Sequence, residues 1–340
     1  MKKFFHRRDC MGIEIRRDPI NPRIISIISL TRAWRPKQYK FARVEIDTKK
    51  CPFCPGNELM TPPSTLLLKR INGKLIYERD KNEHRVKNWI VRIVPNKYPI
   101  VSPKSTYSEG YGYHEVVIET REHDTKLEDL TLDHLTLVFK TTFRRIREIA
   151  EDEKIKHILW FRNRGILGGA SIIHPHSQII ALGFIPPLIR EEVEYFREKS
   201  EKCLYCKPEN IDSERLVYKS KYFYTVTSYA PRVPFELKII PRFHTPNPWS
   251  MEDMLIRDFC KTLKIVLKSL FTTIKIEDYN MWIHSVLNRT QVDFHWHLEI
   301  LPLTSTWAGV EKGLSVYVVS ISPEEAARIL KACVHSLLSS

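Results

Sequence analysis

The sequence predicts an α+β protein made of two duplicated halves, with antiparallel sheets flanked by helices. Three observations support this. Short runs alternate β-branched and polar residues, as in HEVVIET at 114–120 and SVYVVSI at 315–321. Longer stretches near 126–153 and 250–272 place apolar residues at helical spacing. The third observation is an order of residues that occurs twice. Cys51 and Cys54 are followed by His123 and, 51 residues on, by His174. Cys203 and Cys206 are followed by His244 and, again 51 residues on, by His295. Each later histidine opens a His-x-His, His174/His176 and His295/His297, and HEVVIETREH (114–123) aligns with FELKIIPRFH (235–244). A single match of this kind is chance, whereas the whole set recurring in order marks an internal repeat.

The elements follow in chain order. IISIISL (24–30) reads as a strand entering a basic loop, TRAWRP, that bears Arg32 and Arg35. CPFCPGNE (51–58) is a knuckle-like turn. Strands fill 62–100, with turns at Asn72-Gly73 and Pro95-Asn96, the first fitting a two-residue hairpin. After a polar loop, strand 114–120 precedes the helix 126–153, and strand 157–165 ends in a turn. A Gly168-Gly169 link leads to ASIIHPHSQII (170–180), read as one strand with His174 and His176 on the same face. A charged helix near 189–200 is the expected linker, dividing the chain into 1–196 and 197–340. The second half repeats the order, with strands at 215–228, 235–240, 279–287 and 294–301 around its helix. Ser322 before Pro323-Glu324-Glu325 marks the start of a last helix.

Composition narrows the function. No apolar run reaches membrane-spanning length, and the basic start MKKFFHRRDCMG lacks the apolar core of a signal peptide, so a cytoplasmic location is expected. The formal charge of +14 points to anionic partners, either a nucleotide substrate or nucleic acid. Basic residues are interleaved with glutamates and no long single-sign run marks a nucleic-acid arm. In a reducing compartment the two Cys-x-x-Cys pairs read as metal or redox sites. Cys10, Cys260 and Cys333 stand alone and read as small buried or incidental residues.

Cys51, Cys54, His123 and His174 make a Cys2His2 set, and Cys203, Cys206, His244 and His295 a second. Such sets suit closed zinc sites. A metal on His174 would fix the chain beside it and so aim His176, which is left free as a nucleophile toward phosphorus. Ser171, Gln178, Asn163, Arg32 and Arg35 are candidates to surround phosphoryl oxygens. Gly165, Gly168 and Gly169 allow close backbone approach. In the second half His297 is followed by Leu298 and Glu299 instead, which predicts one working nucleophile per chain.

RRDP (16–19), TRAWRP (31–36), CPFCPGNE (51–58), VPNKYP (94–99), HEVVIETREHD (114–124), FRNRG (161–165), GGASIIHPHSQ (168–178) and HWHLEI (295–300) together carry a resemblance. The chain resembles the galactose-1-phosphate uridylyltransferase family of the histidine-triad superfamily, over nearly its whole length. The resemblance implies two histidine-triad-like halves and an enzyme of galactose metabolism. In its two-step exchange, His176 takes UMP from UDP-glucose and passes it to galactose-1-phosphate. It implies Asn96 near the nucleotide, Asn163, Ser171 and Gln178 on the phosphates, and a homodimer in which Arg32 and Arg35 face a sugar nucleotide. Gly309 and Glu311 are kept in the loop 304–313, but a lysine used by some members near the hexose phosphate is missing. Lys97 follows Asn96 where some members have Asp, and Ser177 stands where some have Gly.

Two metals per chain are implied, the second zinc or iron. Some members bind the second through residues matching Glu192, His284, His295 and His297, others through the second Cys-x-x-Cys set. Both sets need His295, so one is expected to operate, and the internal repeat favours the cysteines. Two other readings compete with uridylyl exchange. One is a phosphorylase of ADP-sugars or related nucleotides that uses the same histidine. The other is a zinc-stabilised nucleic-acid-binding module, which the charge suggests but which lacks clustered basic and aromatic stripes.

Overall fold

The computed structural model describes residues 13–34, 50–81, 84–198, 203–206, 213–304 and 306–339. Arg35 and Cys10 lie outside them. The strands of the first half are β1 (Ile13–Arg17), β2 (Ile25–Ser29), β3 (Leu66–Ile71), β4 (Lys74–Glu78), β5 (Trp89–Pro95), β6 (Gly112–Ile118), β7 (His157–Arg164) and β8 (His176–Leu182), with helix α1 (Leu132–Ala150). After α2 (Pro187–Glu198) come β9 (Leu216–Lys219), β10 (Phe223–Thr227), β11 (Leu237–Pro241), α3 (Asp253–Ile274), β12 (Tyr279–His284) and β13 (His297–Pro302). The chain closes with α4 (Gly309–Leu314), β14 (Val316–Val319) and α5 (Pro323–Ser339).

Eleven strands form one antiparallel sheet in the order β4-β3-β5-β6-β8-β7-β12-β13-β11-β10-β9. Its topology carries the repeat. Outward from the β7–β12 seam, β8, β6, β5 and β3 on one side answer β13, β11, β10 and β9 on the other. Helix α1 links β6 to β7 as α3 links β11 to β12. A small sheet, β1-β2-β14, stands apart. The class is α+β, as expected.

The helices pack as their periodicity requires. Leu135, Val138, Phe139, Ile146 and Ile149 form the buried stripe of α1, and Ile256, Phe259, Leu263, Val266 and Leu270 that of α3. Phe139 and Phe259 meet edge to face at 5.1 Å, locking the helices together over the sheet. Cys260 is buried there, as a small apolar residue would be. Helix α1 is shorter than the apolar spacing predicts. Thr131 caps it, its hydroxyl accepting from His134 N at 3.2 Å, and Leu127–Asp129 forms a separate 3-10 turn. Asn72 and Gly73, with φ of 47° and 80°, make the predicted hairpin turn between β3 and β4.

Strand β8 starts at His176, not at Ala170, and β13 likewise starts at His297. Pro175 has no N–H for the ladder, and its carbonyl accepts from Glu119 N at 3.1 Å. Each His-x-His therefore straddles a strand entrance. The knuckle at Cys51–Asn57 is tied down by polar bonds. Trp89 Nε1 donates to Glu58 at 3.0 Å, and Asn57 Nδ2 to the Cys51 carbonyl at 2.8 Å. Just beyond, buried Arg92 of β5 reaches Thr61 Oγ1 and Asp80, each at 2.7 Å. Asp80 also accepts from Ser64 N and Val86 N.

Candidate metal centres and active-site histidine

The side chains of Cys51, Cys54, His123 and His174 converge, their ligand atoms all lying within 4.8 Å of one another. Cys54 Sγ lies 3.2 Å from His123 Nδ1 and 3.5 Å from His174 Nδ1. His174 Nε2 donates to the Thr120 carbonyl at 2.8 Å, so Nδ1 carries the lone pair that faces the thiols. Burial pushes His174 down to about 4, keeping it in the neutral, ligating form.

The second set repeats this geometry. His295 Nε2 donates to the Pro241 carbonyl at 2.9 Å, and its Nδ1 lies 3.4 Å from both Cys203 and Cys206. His244 Nδ1 lies 2.9 Å from Cys206 Sγ. A tetrahedral zinc with ordinary Zn–S and Zn–N lengths separates sulfur from nitrogen by about 3.5 Å. Both donor sets fit that spacing, and both have the carbonyl-anchored outer nitrogen typical of ligating histidines. Each could hold a metal ion, which would tie the knuckle to the sheet and supply no chemistry of its own.

His176 sits at the entrance of β8, opposite Ile118 of β6. Its Nδ1 lies 2.8 Å from the His174 carbonyl, which can only accept, so the proton is on Nδ1 and the lone pair on Nε2. Burial lowers its proton affinity, and the ring is 8% exposed. Phe53 of the knuckle packs edge-on at 5.3 Å and also touches His174 at 6.1 Å. Close by, buried Arg162 and Glu119 pair at 3.0 Å. Ser177 points to the opposite face, where Trp160 Nε1 donates to it at 3.1 Å, so this departure from the family pattern lies away from His176.

The other candidates divide. Gln178 and Asn96 come together at 3.5 Å. Both meet His114, whose Nε2 is 2.7 Å from Gln178 Oε1 and 3.1 Å from Asn96 Nδ2. Sequence reasoning missed His114. Its only sequence signal was its place at the head of the repeated strand. Asn163 Oδ1 accepts from Asn280 Nδ2 at 2.7 Å, across the seam between the halves. Ser171 and Arg32 are exposed. Glu311 caps its own helix, accepting from Ala308 N at 2.9 Å. Among the described residues, none of these last three is hydrogen-bonded to His176.

The glycines differ in what surrounds them. A Cβ on Gly168 would lie 2.2 Å from the Arg164 carbonyl oxygen, and one on Gly165 would strike Asp278. Their openness serves the protein's own turn. Gly169, at φ 75° with open space around it, remains suited to close approach by a ligand.

The expected contest for His295 is also corrected. Both its nitrogens are engaged, one by the thiols and one by Pro241. Glu192, His284 and His297 gather separately, with His284 Nδ1 2.9 Å from Glu192. His297, the counterpart of His176, is 0% exposed. It is closed in by Glu299 at 3.4 Å, which in turn holds Arg232 at 2.5 Å and Lys238 at 3.1 Å.

Known proteins resemble this chain over most of its length. Residues 86–185 match a family model described as the N-terminal domain of a domain of unknown function (DUF4931). An ADP-glucose phosphorylase of Arabidopsis thaliana is 30% identical, over 94% of this chain and 92% of its own. A galactose-1-phosphate uridylyltransferase of Thermotoga maritima is 31% identical over 66% of this chain and 74% of its own. Among solved structures, an Arabidopsis thaliana ADP-glucose phosphorylase with bound ADP-glucose superposes with a TM-score of 0.80 at 28% identity, covering 94% of this chain and 99% of that one. A uridylyltransferase superposes with a TM-score of 0.72 at 28% identity, covering 96% and 100%.

Fold and relatives define a nucleotidyl-transferring enzyme. The chain belongs to the galactose-1-phosphate uridylyltransferase family. No helix among the described residues is long and apolar enough to cross a membrane.

Proposed function

We propose that the protein transfers a nucleotidyl group from a nucleoside-diphosphate hexose to an acceptor phosphate through a covalent nucleotidyl-His176. One observation carries this reading: the His174 carbonyl holds the proton on His176 Nδ1, which leaves Nε2 as the attacking nitrogen. Nε2 attacks the α-phosphorus. A P–N bond forms, the bond from α-phosphorus to the bridging oxygen breaks, and hexose-1-phosphate departs. An oxygen of the second phosphate then attacks the same phosphorus and expels His176. Gln178, Asn96, Ser171, Asn163 and the open face of Gly169 are assigned to the nucleotide and its phosphates. Arg32, Arg35 and Glu311 are assigned to a site completed in a homodimer.

Zinc in each Cys2His2 set would hold the frame, and the one on His174 would aim His176. The two halves, 1–196 and 197–340, act as one working unit and one sealed unit.

Two donors fit. The relative matching 94% of the chain is an ADP-glucose phosphorylase, which favours ADP-glucose with inorganic phosphate as acceptor. The second reading, exchange of UMP between UDP-glucose and galactose-1-phosphate, is supported by the uridylyltransferase relatives. Mixing the enzyme with each sugar nucleotide and weighing the intact protein separates them. An AMP-sized adduct alone supports the phosphorylase, and a UMP-sized adduct alone supports the exchange.

A further inference from the structure

His114 stands opposite Ile180 in the β6–β8 register, and so diagonally from Gln178 on the same sheet face. Its ring is held from both sides. The Ile100 backbone N–H reaches Nδ1 at 3.2 Å. An N–H can only donate, so Nδ1 holds the lone pair and Nε2 of the neutral ring carries the proton. Burial disfavours the charged ring, which supports that neutral form.

Nε2–H therefore points at Gln178 across 2.7 Å, and the atom it meets must be the amide oxygen. Asn96 is oriented in the same sense. Its Oδ1 accepts from Tyr98 N at 2.9 Å, which turns its Nδ2 toward the Gln178 oxygen at 3.5 Å. Nδ2 also lies 3.1 Å from His114 Nε2, and since both are donors with Nδ1 holding the ring's lone pair, the Gln178 oxygen is the acceptor they share. With donors gathered on its oxygen, Gln178 must turn its NH2 the other way. Gln178 lies two residues after His176 on the strand, so the two side chains share a face.

We propose that His114 is a positioning residue: by donating from Nε2 to the Gln178 oxygen, it directs the Gln178 NH2 toward the phosphoryl group being transferred at His176. This rests on the assignment of Gln178 to that group made above. A glutamine free to flip could also present its oxygen to the phosphate, with repulsion in place of a hydrogen bond.

The test is a double-mutant cycle on the first half-reaction, following adduct formation by rapid quench with the donor that labels the wild type. Zinc content and far-ultraviolet circular dichroism are recorded for every variant. Removing one aligned donor costs on the order of 100-fold in such steps, so Gln178→Ala should slow adduct formation by about that factor. His114→Phe should slow it about 10- to 100-fold at unchanged zinc content, and His114→Gln, which keeps a donor, should recover part of the loss. The double variant should be no slower than Gln178→Ala alone, because the histidine acts only through the glutamine. The inference is overturned if His114→Phe matches the wild type, or if its full factor multiplies onto Gln178→Ala. A Gln178→Ala enzyme at the wild-type rate would overturn the underlying assignment instead. If His114→Phe loses its fold or zinc, His114→Ala, which also removes the donor, and its double with Gln178→Ala decide by the same criterion.

Discussion

His174 Nε2 donates to the carbonyl of Thr120 at 2.8 Å, and that bond decides which ring nitrogen faces the cysteines. His295 and Pro241 repeat it at 2.9 Å. The same orienting device in both halves of the repeat supports a metal centre in each Cys2His2 set, and it leaves the neighbouring His176 and His297 outside those two sets.

Metal analysis should find two zinc equivalents per chain. Cys51→Ser should retain one and lose adduct formation, because the knuckle carrying Phe53 and the anchor of His174 loosen together. Cys203→Ser should also retain one but still form the adduct, with a lower melting temperature. Structural zinc contributes several kcal/mol, on the order of 10 in small domains, so both variants should melt earlier. Plasma emission spectrometry and calorimetry measure the two quantities.

The duplicated histidines should behave unequally. His176→Gly should abolish the adduct, whereas His297→Asn should leave it on His176. His297 is sealed among Glu299, Arg232 and Lys238, where a nucleotide has no room. Peptide mapping of the labelled protein should therefore find the modification at residue 176 alone.

Asp80 and Arg92 should control acid stability. Burial opposes the Asp80 charge, but bonds from Val86 N, Ser64 N and Arg92 outweigh it and hold its pKa below the usual carboxylate value. The sign follows from linkage. Stabilisation from this group is fully present above the unfolded value near ~3.9 and is lost as pH falls through the lower folded value. Asp80→Asn strands a buried guanidinium and should cost about 3–5 kcal/mol at neutral pH. It should also flatten the acid limb of stability below about pH 4 in urea titrations.

Gly168 and Gly169 should separate structure from binding. Gly168→Ala drives a methyl into the Arg164 carbonyl and should lower the melting temperature more than Gly169→Ala does. Gly169→Ala, strained only by its positive φ, should cost about 1–2 kcal/mol and raise KM for the sugar nucleotide. Melting curves and initial rates on both variants test this contrast.

Much of this is legible in the sequence. The two Cys2His2 sets, the repeat and the α+β class all follow from local spacing and pattern. What escaped the sequence depends on where side chains point. The spacing could not show that His295 commits both nitrogens, which frees Glu192, His284 and His297 to cluster alone. His114 was hidden for a similar reason: its partners Ile100 and Gln178 come from a loop and a strand distant in sequence. Gly168 looked like a phosphate-cradling glycine, yet its constraint is the backbone of Arg164 across a turn. The strand was read six residues too early because Ile172 and Ile173 extend the apolar run, while Pro175 denies them a place in the ladder.

The central claim is that His176 Nε2 becomes nucleotidylated. Intact-protein mass spectrometry after mixing with ADP-glucose or UDP-glucose, before any acceptor is added, tests it most directly. A single AMP- or UMP-sized adduct, discharged by inorganic phosphate or hexose-1-phosphate and missing in His176→Gly, is the predicted result. No adduct with either donor on zinc-loaded protein, or an adduct that persists in His176→Gly, would contradict it.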